Sequence, residues 1–182
     1  MKSYKIFCIG FAKTGTTSLA VALRKLDYSV KGVVGVHDPN ISKTIYKLTD
    51  KIVPLYDAFQ DEPWPVLYEY LDSNYNGKFI LTTRPEEDWI TSLLNHCCKL
   101  ETPFREWIYG YPNPRGHEQV YIDRYNKHNN DVRKYFKDRE DFLELRITEG
   151  EGYEKLCPFL GHETINEKFP HENKTEDLIC QS

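Results

Sequence analysis

The residues best equipped for chemistry lie close to the amino terminus, in Gly10-Phe11-Ala12-Lys13-Thr14-Gly15-Thr16-Thr17-Ser18. Two glycines with four residues between them let consecutive backbone N–H groups turn inward. A helix starting directly afterwards adds the positive end of its dipole. Phosphate-like anions are what such a loop holds. Nucleoside triphosphatases place a lysine directly after the second glycine, where it reaches the β and γ phosphates. Here that position is Thr16, the lysine has moved inside the loop as Lys13, and the following hydroxyl, Thr17, is kept.

A second departure lies further along. Lys78-Phe79-Ile80-Leu81-Thr82-Thr83 is the clearest strand in the chain. Where a magnesium-dependent nucleotidase ends such a strand in Asp, this one runs into Arg84. A cation in place of a metal-binding anion suits a second anionic group held without metal. Ser92, eight residues on, falls in the helix that follows. No His, Cys, Asp or Glu group has metal-ligand spacing, so no metal is expected.

These residues need a frame that gathers them at one edge. Tyr4 to Ile9 reads as a buried strand ending at Gly10, and Ser18 to Leu26 as the helix after the loop. Strands are expected over Tyr28 to Val36, Lys51 to Tyr56, Lys78 to Thr83 and Phe142 to Ile147. Helices are expected over Ile41 to Leu48, Val66 to Leu71, Asp88 to Leu94, Glu118 to Phe136 and Gly152 to Leu160. Phe104 to Gly116, rich in Pro and Gly, reads as irregular, a lid or a pocket wall. Tyr121, Tyr125, His128, Val132 and Tyr135 recur at helical spacing, a stripe that reads as core. Alternation of strands and helices predicts an α/β, P-loop-like three-layer fold, with a central parallel sheet flanked by helices and sites at the carboxyl ends of its strands. The chain is expected to form a single domain over 1–182, with a polar tail from about Pro170.

Composition narrows the partners. With 24 Lys and Arg against 28 Asp and Glu and no basic block, nucleic-acid binding is not expected. Five cysteines (Cys8, Cys97, Cys98, Cys157, Cys180) form no Cys-x-x-Cys pair and cannot all be paired. They point to a reducing, cytoplasmic setting, in which the glycosylation-type triplet Asn173-Lys174-Thr175 is a chance match. The apolar run before Gly10 is too short for a signal peptide or a membrane span.

Taken together, the motifs resemble those of the sulfotransferases. Lys13-Thr14-Gly15-Thr16-Thr17-Ser18 is similar to that family's 5′-phosphosulfate loop, and Arg84 with Ser92 to its 3′-phosphate pair. Ile147 to Gly161, closing on Phe159-Leu160-Gly161, resembles the family's late strand-helix segment. Phe169 to Thr175 resembles the closing segment of a small bacterial and protist branch. The resemblance implies that the donor is 3′-phosphoadenosine 5′-phosphosulfate (PAPS), whose charge layout matches a loop plus a second cation. It implies sulfuryl transfer to a hydroxyl or amine of a small or flexible acceptor, with Lys13, Thr16 and Thr17 stabilising the departing phosphate oxygen.

The chain is shorter than the well-studied cytosolic enzymes and lacks their Gly-rich carboxyl-terminal segment, whose lysine touches the 3′-phosphate. Lys174 is one stand-in. It also lacks the histidine that those enzymes carry after the strand preceding the 3′-phosphate strand. Asp57 or Asp61, in that place, is the leading candidate for the proton acceptor. His37, where other sulfotransferase families carry a Glu, is the runner-up. Two other readings stay open: an ATP-using small-molecule kinase, and a non-catalytic nucleotide-binding relative.

Overall fold

The computed structural model describes residues 3–97 and 101–171. Lys174 and the triplet around it lie outside the described residues. β1 (Lys5–Cys8) continues into Ile9, an unbroken apolar run of the kind that only a strand covered on both faces can use. It occupies the middle of a five-stranded, wholly parallel sheet ordered β2-β3-β1-β4-β5. The other strands are β2 (Val30–Lys31), β3 (Ala58–Phe59), β4 (Gly77–Thr82) and β5 (Phe142–Leu145). The chain fills one side of β1 first and then crosses to the other. The carboxyl edge beside β1 is therefore the switch point at which open α/β sheets bind ligands.

Period-two alternation sorts the sheet residues between two cores. Phe7, Ile9, Phe59, Phe79 and Leu81 face one side, where they meet α2 (Ile41–Ile52), α3 (Tyr68–Asn74), α5 (Pro103–Tyr109) and α6 (Glu118–Tyr135). Ile6, Cys8, Ala58, Ile80 and Leu145 face the other, against α1 (Thr16–Lys25) and α7 (Tyr153–Leu160). This is the three-layer α/β arrangement. A third cluster joins α4 (Glu86–Cys97) to α5 and α6 through Trp89, Leu93, Tyr109, Tyr121 and Tyr125, with Phe11 of the loop beneath them.

Three expected elements differ. The second strand shrinks to two residues because Gly35, at φ 69°, turns the chain out of the sheet. Lys51 to Tyr56 is not a strand: α2 runs on to Ile52, and a 3-10 turn covers Val53–Leu55. Ile41, Ile45, Leu48 and Ile52 form one continuous apolar stripe on that helix, and its last turn holds the β-branched residues that imitated a strand. Phe104 to Gly116 is not wholly irregular either, since α5 occupies its first half. Thr102 caps α5, its Oγ1 accepting from Arg105 N at 3.2 Å. Pro103 sits at the first position, where proline starts a helix, and Gly110 at φ 77° ends it. No described helix is long and apolar enough to cross a membrane.

Candidate active site

The loop between β1 and α1 is held in place from three directions. Gly10 passes so close to β4 that a Cβ there would lie 2.1 Å from Thr82 Oγ1 and 2.4 Å from its carbonyl oxygen. Thr14, with no exposed surface, donates its one hydroxyl proton to Phe11 O at 2.6 Å. The 2.6 Å contact with Thr82 Oγ1 therefore has Thr82 as donor. Trp89 of α4 donates from Nε1 to Ala12 O at 2.9 Å. His128 of α6 stacks on Phe11 with ring centres 4.3 Å apart, and its Nε2 meets Ile9 O at 2.8 Å. Because a carbonyl only accepts, that ring carries its proton on Nε2. Burial pushes His128 down to about 4, so it stays neutral.

Lys13 at φ 71° and Gly15 at φ 98° both adopt left-handed geometry, a backbone conformation found in anion-binding loops. Gly15 caps α1 without a side-chain bond, and the first turn of α1 carries no acidic residue. Thr17 is exposed at this end, whereas Thr16 and Ser18 are buried. Thr14 supports the loop from within.

Beside it, past β3, lie two adjacent carboxyls. Asp61, at φ 70°, accepts from Thr16 Oγ1 at 3.3 Å and from Glu62 N at 2.8 Å. Burial raises its carboxyl, and these two bonds, Lys13 and Arg105 oppose the rise. Glu62 is pushed up to about 7, chiefly by burial, with Arg105 opposing and Asp61 adding to the rise. Arg105 Nε stands 3.6 Å from Glu62 Oε1, with both side chains buried. His96, near the end of α4, is held below the ordinary histidine range by burial and by the charges of Lys13 and Arg105.

Asp57 is not part of this group. It precedes β3 at the amino edge of the sheet, where its Oδ2 accepts from Ser29 N at 2.9 Å and Ser29 Oγ at 2.6 Å. The later start of the strand causes this: with β3 beginning at Ala58, Asp57 enters the strand and Asp61 leaves it. His37 is exposed, one residue beyond Val36, whose carbonyl accepts from Phe104 N at the head of α5. Asp38 beside it accepts from Asn40 N and Thr44 Oγ1 and fastens the start of α2.

Arg84 follows β4 and is clamped by Tyr125 of α6. The Tyr125 hydroxyl accepts from Arg84 N at 3.0 Å and donates to Arg84 O at 2.8 Å, while its ring stacks on Trp89 at 4.2 Å. Arg84, Thr83, Asn129, Arg133, Arg146 and Glu149 are among the residues lining a cavity of about 220 Å³ at the carboxyl ends of β4 and β5. The Nε of Arg84 and the Oδ1 of Asn129 are buried there without a protein partner. Arg133 is committed to Glu144 through two bonds of 2.9 and 2.6 Å. Ser92 is half-buried on α4, three residues past Trp89, and is not part of the cavity lining.

Sequence reasoning missed Glu62, Arg105, Asn129 and the bracing roles of Trp89 and His128. The helical stripe through Tyr121, Tyr125 and His128 was the available signal, since it marked which face of α6 meets the loop. Among the described residues no group of His, Cys, Asp and Glu is arranged to hold a metal ion.

A family model described as a sulfotransferase domain matches residues 5–121 and 104–178. The chain belongs to that sulfotransferase-domain family. It is also similar to the Ava biosynthesis cluster protein M of Aspergillus versicolor, 26% identical over 212 aligned positions that cover 92% of this chain and 80% of that protein.

Proposed function

We propose that this protein moves a sulfuryl group from PAPS to a hydroxyl or amine of a small or flexible acceptor, in a reducing, cytoplasmic setting. One observation carries the reading: two separate anion-seeking places lie at the carboxyl ends of neighbouring strands. The Lys13 loop follows β1, and the Arg84 cavity follows β4. The residues fit the donor. The start of α1, with a glycine cap and no acidic residue in its first turn, suits the 5′-phosphosulfate, and the unpartnered Nε of Arg84 suits an anionic oxygen of the 3′-phosphate. PAPS, when bound, supplies a sulfuryl group attached to a phosphate that leaves.

Sulfuryl transfer is governed by positioning and by stabilising charge on the departing oxygen. Lys13, the loop N–H groups and the Thr17 hydroxyl hold that charge. Thr16 gives its proton to Asp61 in this structure. It reaches a ligand only by releasing that bond, which frees a lone pair on Asp61. Asp61 then accepts the acceptor's proton, within the charge field of Lys13 and Arg105. At the second place Arg84 and Arg146 supply the positive charge. Arg146 stands 3.7 Å from Glu149, close enough to stay oriented and too far for a hydrogen bond.

The test is calorimetric titration with adenosine 3′,5′-bisphosphate, the desulfated product, and with ATP, each with and without Mg²⁺. Metal-independent binding of the bisphosphate that is lost in Arg84→Ala, and bisphosphate release from PAPS that is lost in Lys13→Ala, are the expected results. A Mg²⁺-dependent preference for ATP would replace this reading with a kinase. Bisphosphate binding without turnover on any hydroxyl or amine acceptor would make the chain a non-catalytic relative.

A further inference from the structure

Tyr125 stands beside both the Arg84 backbone and the Asn129 side chain. Its hydroxyl has one proton, spent on Arg84 O, and two lone pairs, one of which takes Arg84 N–H. The Asn129 side chain is a neighbour of this hydroxyl and one of the groups that lower it, against the larger effect of burial, which raises it. Asn129 is 4% exposed, it lines the Arg84 cavity, and Oδ1 has no partner. A buried amide oxygen without a donor costs on the order of 1–3 kcal/mol, and a ligand carrying a donor recovers that cost.

The neighbouring orphan is of opposite kind. Arg84 Nε is a buried donor in search of an anionic oxygen, and of the guanidinium nitrogens it stands nearest its own backbone, the part that Tyr125 grips. A buried donor for an anion and a lone acceptor thus belong to two residues that line a single cavity. The complementary ligand carries an anionic oxygen with an O–H or N–H close beside it.

We propose that Asn129 Oδ1 accepts the 2′-hydroxyl of the nucleotide ribose while Arg84 holds the vicinal 3′-phosphate. Asn129 is then the residue that selects a ribonucleotide over its deoxy counterpart. The inference rests on the nucleotide reading above. A 3′-phosphate and a 2′-hydroxyl sit on adjacent carbons, so they match two orphans of opposite kind in the lining of one cavity. The exocyclic amine of adenine is also a donor but lies at the far end of the nucleoside from that phosphate.

The probes are adenosine 3′,5′-bisphosphate, its 2′-deoxy analogue and inosine 3′,5′-bisphosphate, titrated calorimetrically into the wild-type chain and into Asn129→Ala. The wild-type chain is expected to bind the 2′-deoxy analogue roughly tenfold more weakly than the ribose compound, and the inosine compound unchanged. In Asn129→Ala the ribose and deoxy compounds are expected to bind alike. Equal affinity of the wild-type chain for the ribose and deoxy compounds overturns the inference and leaves the nucleotide site standing, and needs no variant to fold. A loss confined to the inosine compound overturns it in favour of the adenine amine. Failure of all three to bind overturns the nucleotide reading itself, and the inference with it.

Discussion

Glu62→Gln should change how stability depends on pH, and the size of the change follows from the burial of this carboxyl. Its ordinary value is 4.5 and burial lifts it to about 7, a shift worth on the order of 3 kcal/mol. The folded chain keeps the proton that the unfolded chain gives up between those two values. The folded state therefore binds more protons across that window, and this group lowers stability as pH rises through it. Below pH 4.5 both states are protonated and the contribution vanishes. The amide that replaces the carboxyl cannot ionise, so the variant loses nothing as pH rises. The attraction of Arg105 for the ionised carboxyl is already contained in the value of about 7, because it acts only where Glu62 is charged.

The assay is urea unfolding of both proteins at intervals from about pH 4.5 to about pH 7.5, the window that brackets the two values. Carboxylates held low by arginine, such as Asp72 and Asp141 beside Arg139 and Glu144 beside Arg133, weaken both proteins as pH falls. Those contributions cancel in the difference between the two curves. The variant should gain about 3 kcal/mol on the wild-type chain from the acid to the neutral end. Parallel curves would refute the reasoning, because they would mean that Glu62 is not buried in its neutral form.

Two further outcomes are expected. Gly10→Ala would drive a Cβ into Thr82, where the contact is partly backbone and cannot rotate away. A loss of several kcal/mol in urea unfolding, together with loss of bisphosphate binding, is expected, and an unperturbed midpoint would contradict the packing described. Asp61→Asn should cut bisphosphate release from PAPS by about 10² or more, while Asp57→Asn, at the opposite edge of the sheet, should leave it within about twofold and cost less than about 1 kcal/mol. Equal losses in the two variants would remove Asp61 from the reaction.

The parts of the fold legible in the sequence were those encoded by local pattern. The unbroken apolar run into Gly10, the Gly-x-x-x-x-Gly loop and the strand running into Arg84 each state their own structure within a few residues. The stripe on α6 announced its buried face in the same way. Where local pattern was ambiguous, neighbours decided. Residues 51–55 continued a helix because Ile52 packs on the stripe already begun by Ile41, and that displacement of β3 moved Asp57 out of the site and Asp61 into it.

What the sequence alone determined was therefore the set of residues on offer: a Gly-x-x-x-x-Gly loop after one strand, an arginine after another, and the pattern of the sheet that brings strand ends together. Tertiary structure decided which side chains share those ends. Glu62 with Arg105, and Asn129 with Arg84 in the lining of one cavity, are pairs drawn from elements far apart in the chain. Their roles come from burial and from donor and acceptor counts, quantities that exist only once the helices have closed over the sheet.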